Sequence, residues 1–211
     1  MSSSLDLSQH VWWLASRSMG VVAMVLVSLS VGVGLALSGR VVRRPGAPAR
    51  MKSLHEALAL SGLLAIVLHG ILLLPDSYLH PGLVGITVPF ALSGQPLWTA
   101  LGIVGGWLAA VVTLSFYVRG LIGIAAWRWL HRWTLGVWVL GIAHTLGSGT
   151  DARSLWLLVI LAASTLPVLA ARVWPARIGW ADAAAAKALG LGLRGPGAAS
   201  GRDRGGGRHS T

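Results

Sequence analysis

The sequence predicts an all-α, polytopic membrane helical bundle of about five transmembrane helices, with the N-terminus outside and the C-terminus cytoplasmic. Three observations carry that expectation. Of 211 residues, 55% are hydrophobic and 11% charged, with a mean hydropathy of +0.71. A soluble domain carries about 25% charged residues, so this chain lacks the polar side chains to cover a globular surface. Five apolar stretches approach the roughly 20 residues needed to cross about 30 Å of hydrocarbon: Trp12 to Leu37, Leu54 to Leu74, Leu97 to Val118, Gly123 to Leu146 and Leu155 to Trp174. Finally, 15 of the 17 Lys and Arg fall on one side of those stretches, as the positive-inside rule requires of the cytoplasmic face.

The first stretch follows a segment, residues 1–11, that has no Lys or Arg and includes Asp6. Its apolar run is longer than the core of a signal peptide, so it reads as a retained anchor behind a short extracytoplasmic segment. Arg40, Arg43, Arg44, Arg50 and Lys52 mark the first loop as cytoplasmic, and Arg43-Arg44-Pro45-Gly46 is a poor helix continuation. The second stretch ends at Leu74-Pro75-Asp76, and the loop to Pro96 carries no positive residue. Within that loop Leu83 to Leu92 is too short to span and contains Pro89, which predicts an interfacial segment. Arg119, Arg128 and Arg132 return the chain to the cytoplasm; the turn Gly147-Ser148-Gly149 leads outward again, past Arg153 alone.

The membrane domain is thus expected over residues 12–175. Arg172, Arg177, Lys187, Arg194, Arg202, Arg204 and Arg208 follow the last stretch, and residues 176–211 form a Gly/Ala/Arg-rich tail that cannot bury a core. It is expected to be disordered, with a charge that suits anionic lipid. Trp12, Trp13, Trp98 and Trp156 fall at the outer interface, and Trp127, Trp129, Trp133 and Trp174 at the inner one, as aromatic belts do. The net charge of +11 lies between and after the apolar runs rather than along one amphipathic face, so it is assigned to topology. Membrane lipid is the expected partner and nucleic acid is not.

No cysteine is present, which excludes disulfides, iron–sulfur clusters, thiolate zinc sites and thiol nucleophiles. Seven histidines remain. His55 and His69 lie in the second stretch, His131 and His144 in the fourth. Ionisable residues inside spans are functional candidates by default. Both stretches run from inside to outside, so His55 and His131 share the inner depth and His69 and His144 the outer. Separations of 14 and 13 residues correspond to roughly 21 and 20 Å along the helix axes. Two facing helices with matched pairs suit axial ligation of two haems, one above the other.

On an ideal helix His69 returns to within about 40° of His55, with Ala59, Gly62 and Ala65 between them as a small-residue stripe that admits a flat macrocycle. His144 falls about 140° from His131. The fourth span must therefore be overwound or kinked, near Gly136 or Gly141, or His131 must reach in from the helix entrance.

The four-histidine pattern, 14 apart on one span and 13 apart two spans later, resembles the ferric reductase-like transmembrane domain. That cytochrome b-type domain is shared by ferric reductases, NADPH oxidases and the membrane haem subunit of the periplasmic methionine sulfoxide reductase system. The resemblance covers about Lys52 to Leu146. It implies two b-type haems, with His55 and His131 holding the cytoplasmic-side haem and His69 and His144 the outer one. Ferric reductases and NADPH oxidases add a flavin and nicotinamide domain after the last span. Here no Gly-rich phosphate loop opening a helix follows, so the expected donor is a separate flavoprotein reductase or a quinol, and the expected acceptor is extracytoplasmic. The chain is then the electron-transfer subunit of an oxidoreductase in a plasma membrane, a bacterial one on this resemblance.

Arg17, in the outer half of the first span, is a candidate partner of an outer haem propionate, with snorkelling to headgroups as the other reading. Arg128 and Arg132 flank His131, and Arg50 and Lys52 precede His55; all four suit inner propionates as well as topology. Trp138 lies between the fourth-span histidines and is expected to pack in the core. His10, His80 and His209 read as solvated, His80 lying on the acceptor side. A different class of function, a histidine-lined transition-metal transporter or sensor, uses the same imidazoles.

Overall fold

The computed structural model describes residues 7–39, 45–76, 79–148, 152, 154–166, 168 and 170, all within the first of two compact units, Met1–Arg172. Residues 1–6, Arg40, Arg43, Arg44, Arg153, the end of the expected fifth span and the whole of 176–211 lie outside the described residues, as does the side chain of His10.

Every regular element described is a helix: α1 Leu7–Ser38, α2 Ala47–Ile71, α3 Gly82–Thr87, α4 Pro96–Ser115, α5 Arg119–Ile122, α6 Ile124–His131, α7 Thr134–Ser148 and α8 Leu155–Leu166. The boundaries follow local chemistry. Gly46 takes φ 75° ahead of α2, and Pro48 sits in that helix's first turn, where a missing N–H costs nothing. Pro96 opens α4 in the same way. Gly123, at φ 85°, separates α5 from α6 with a conformation that a side chain would strain.

Three helices are long and apolar enough to cross a membrane: Val11–Ser38, Ala47–Ile71 and Pro96–Ser115. Their outward faces carry large apolar side chains such as Leu64, Val67, Val111 and Leu114, each about half exposed, which water would not tolerate in such number and lipid does. The chain is an all-α, multi-pass membrane helical bundle. The expected fourth span is not one helix: α6 and α7 meet at a turn over Arg132 and Trp133. The stretch Leu83 to Leu92 includes α3, whose terminal carbonyl, at Thr87, accepts from Trp107 Nε1 of α4 at 2.9 Å. That contact returns the segment along α4 to a residue eleven positions inside the helix.

The long elements form a ring. α1 packs on α2 and α7, and α4 packs on α7 and α2, while α2 and α7 face each other across the diagonal without a packed interface. Pairs along a contact run in opposite directions, as with Gly102 near His144 and Gly105 near Leu140 between α4 and α7, or Ser16 near His69 and Ser30 near His55 between α1 and α2, so neighbours are antiparallel. Met24, Leu157 and Leu161, with Val21, Trp138 and Ile142, join α1, α7 and α8 in an apolar cluster. Trp138 belongs to that core, as expected, and its Nε1 donates to the fully buried Ser28 Oγ at 3.0 Å.

Candidate functional site: two histidine pairs

The diagonal between α2 and α6–α7 is bridged at two depths. His55 and His131 have ring centroids 5.9 Å apart with planes at 82°. His69 and His144 have centroids 6.1 Å apart with planes at 72°. These are the pairings the spacing predicted, and the two α2 members are separated by 14 residues, roughly 21 Å of helix.

The 13-residue separation of His131 and His144 is reconciled by a break. Arg132 N donates to Trp129 O at 3.2 Å and Trp133 N to Leu130 O at 3.0 Å, i→i−3 bonds that wind the chain more tightly than an α-helix. The extra rotation and the kink remove the premise that His131 and His144 share one regular screw. The break falls directly after His131, not at Gly136 or Gly141, and Thr134 Oγ1 donates to the His131 carbonyl it frees, at 2.6 Å.

Each of three rings is held through Nδ1. His69 Nδ1 lies 2.8 Å from Ser16 O and His55 Nδ1 2.9 Å from Ser30 O. His144 Nδ1 lies 2.8 Å from Trp98 O on α4. A carbonyl only accepts, so Nδ1 carries a proton in all three, and in the neutral imidazole this leaves the lone pair on Nε2. His131 is held differently: its ring lies against Trp127, centroids 5.3 Å apart and planes 30° apart, and among the described residues its nitrogens have no hydrogen-bond partner.

Glycines give these rings their places. A Cβ on Gly20 would stand 3.1 Å from His69 Nδ1, one on Gly34 3.1 Å from His55 Cε1, and one on Gly102 2.5 Å from His144 Nδ1. Gly62, expected to make room for a macrocycle, instead packs against α1, where an added Cβ would be 3.2 Å from Val27 Cγ2; the α1–α2 interface needs the small residue. Ala59 does face the diagonal. With Val27, Ser30, Leu63, Val112 and Thr134 it lines a small gap of about 40 Å³ between the helices.

The remaining candidates are dispersed. Arg17 has its guanidinium 5.1 Å from the Trp13 ring and 5.6 Å from the Trp156 ring, so aromatic faces of α1 and α8 flank it. Arg128, Arg132, Arg50 and Lys52 are exposed. His80 is exposed in the loop at φ 41°. Glu56, beside His55 in sequence, accepts from Tyr117 Oη at 3.0 Å, and this bond, followed by desolvation and the carboxylate's charge, holds the phenol above its usual ionisation range. Ser16 and Ser30 were not singled out by sequence reasoning. The signal was present: two serines 14 apart on α1, each four residues before a glycine, mirror two histidines 14 apart on α2.

Comparison with known proteins returned no matching family model, no matching curated protein and no matching solved structure.

Proposed function

We propose that this protein is a membrane cytochrome b, the haem subunit of a reductase system, carrying electrons across the bilayer to an extracytoplasmic acceptor. One observation carries the reading: the same two columns, α2 and α6–α7, present two imidazole pairs of nearly equal ring separation at two depths. The pairs fit the group. Two imidazoles that would share one metal ion, each bonded at about 2.0 Å, would have ring centroids about 6 Å apart; the observed 5.9 and 6.1 Å support that reading, with His55 and His131 or His69 and His144 holding the group. Metal-bound histidines almost always donate the other ring N–H to a carbonyl, carboxylate or water, and three of these four donate to a carbonyl.

The donor set also favours haem over a bare transition-metal path. Among the described residues no group of three His, Cys, Asp or Glu could hold an ion, whereas a closed zinc site takes four protein ligands. Two imidazoles suffice when a macrocycle supplies the other donors.

His55 with His131 would hold the inner haem b and His69 with His144 the outer. Bound there, the group supplies a one-electron ferric–ferrous couple at each level. The chain's own residues fix imidazole orientation and line the space between the two columns mainly with apolar side chains. Arg128 and Arg132 are the proposed partners of inner propionates and Arg17 of an outer one. Five crossings, an external N-terminus and a bacterial plasma membrane complete the reading. The donor, a flavoprotein or a quinol, acts from the cytoplasmic face.

Dithionite-reduced minus oxidised spectra of the purified protein test this. Two haems per polypeptide are expected, falling to one in His69→Ala and to one, of different midpoint potential, in His55→Ala. Absence of b-type bands from haem-replete wild type overturns it.

A further inference from the structure

We propose that α1 is a duplicated clamp, in which Ser16 with Gly20 positions His69 and Ser30 with Gly34 positions His55. The inference deepens the haem reading and names residues outside its ligand set.

The two clamps are alike bond for bond. Ser16 Oγ donates to His69 O at 2.7 Å and lies 3.0 Å from His69 Nδ1. Ser30 Oγ donates to His55 O at 3.2 Å and lies 3.1 Å from His55 Nδ1. A serine hydroxyl has one proton. Since that proton is spent on the histidine carbonyl, Oγ faces Nδ1 as an acceptor, beside the serine's own carbonyl. Two acceptors on one N–H over-determine the tautomer: Nδ1 protonated, Nε2 bare.

Four residues on, one helical turn away, each clamp has a glycine where a Cβ would press on the ring at 3.1 Å. Ser16 itself is 1% exposed and Ser30 4%, so neither hydroxyl has water as an alternative partner. His144 is served by a split version, in which Trp98 O of α4 accepts from Nδ1, Ser148 Oγ caps its carbonyl at 2.6 Å and Gly102 makes room. His131 has no counterpart. The outer pair is therefore clamped on both rings and the inner pair on one.

The test uses the full-length protein in detergent, with two independent readouts. In ¹⁵N-histidine spectra of the reduced protein, His55 and His69 are expected to show a protonated, solvent-protected Nδ1. Gly20→Ala should weaken and shift the His69 signal alone and Gly34→Ala the His55 signal alone, since each ring must give by about 0.3 Å. Gly32→Ala, whose Cβ meets Val168 at an ordinary 3.8 Å, should change neither. Alanine is the better helix former, so a loss does not come from a weakened α1. In redox titrations, Ser16→Ala should shift only the outer couple and Ser30→Ala only the inner, each by about tenfold in ferric-to-ferrous preference, or about 59 mV for one electron, with Thr restoring the wild-type value. An unprotonated Nδ1 on either residue, or variants that move both couples alike or neither, overturns the clamp. If wild type shows the protected Nδ1 signals and no b-type band, the clamp stands and the haem reading falls.

Discussion

Gly102→Ala puts the most local demand on the outer pair. The added Cβ would stand 2.5 Å from His144 Nδ1 and 2.7 Å from Cε1, where ordinary contact begins at 3.4 Å. The ring must retreat by about 0.9 Å, and a retreat along the line of the bond stretches Nδ1 to Trp98 O from 2.8 Å to about 3.7 Å, beyond hydrogen bonding. Losing that bond and stranding its acceptor costs about 1–3 kcal/mol, which matches the about 10- to 100-fold loss of metal affinity typical when such a partner is removed. The helix gains nearly 1 kcal/mol from replacing glycine, so the fold should survive. The overlap at Gly20 and Gly34 is only about 0.3 Å by the same measure, so the expected order of damage is Gly102→Ala first and the α1 variants behind it. Haem-to-polypeptide ratio and redox difference spectra read the outcome: the outer signal should fall toward zero and the inner remain. Two b-type signals at wild-type potentials in Gly102→Ala would show that the His144 ring does not occupy the position argued for it.

Further outcomes follow from other contacts. The ring planes stand at 82° and 72°, so the oxidised protein should give strongly anisotropic low-spin ferric resonances at both levels, and a pair of ordinary rhombic signals would contradict these angles. Ser28→Ala leaves the Trp138 indole N–H without its partner and should lower stability by about 1–3 kcal/mol, seen as an earlier thermal transition in detergent with both haem signals retained. Glu56→Gln removes the carboxylate that raises Tyr117; its ionisation midpoint should fall back toward 10. That is followed by ultraviolet titration, which is tractable because the chain has 2 tyrosines. A raised phenol favours the folded state below its unfolded value and loses that advantage as pH climbs through the folded one, so Glu56→Gln should narrow the difference in stability between neutral and strongly alkaline pH.

Much of the architecture was legible in the chain because its signals are local. Membrane character follows from how few charges the chain has to offer to water, and helix ends follow from Gly46, Pro48, Pro96 and Gly123, whose backbone preferences act within one turn. The pairing of His55 with His131 and His69 with His144 was also readable, because axial rise depends only on residue count.

What counting could not supply is rotation and partnership across helices. The fourth span reads as continuous apolar sequence, and only packing shows that it breaks at Arg132 and Trp133, bringing His131 into line although an unbroken helix would turn it away. Gly62 looked like clearance for a flat ligand and proved to be the contact that lets α1 approach α2. The serines of α1 carry no mark of importance until α2 lies antiparallel beside them; then a shared 14-residue spacing becomes two equivalent hydrogen-bonded brackets. Composition and spacing alone thus determined solvent, element type and position along the helix axis, since these depend on neighbours in the chain. Ring orientation and tautomer were decided by tertiary structure, because the groups that set them come from other helices.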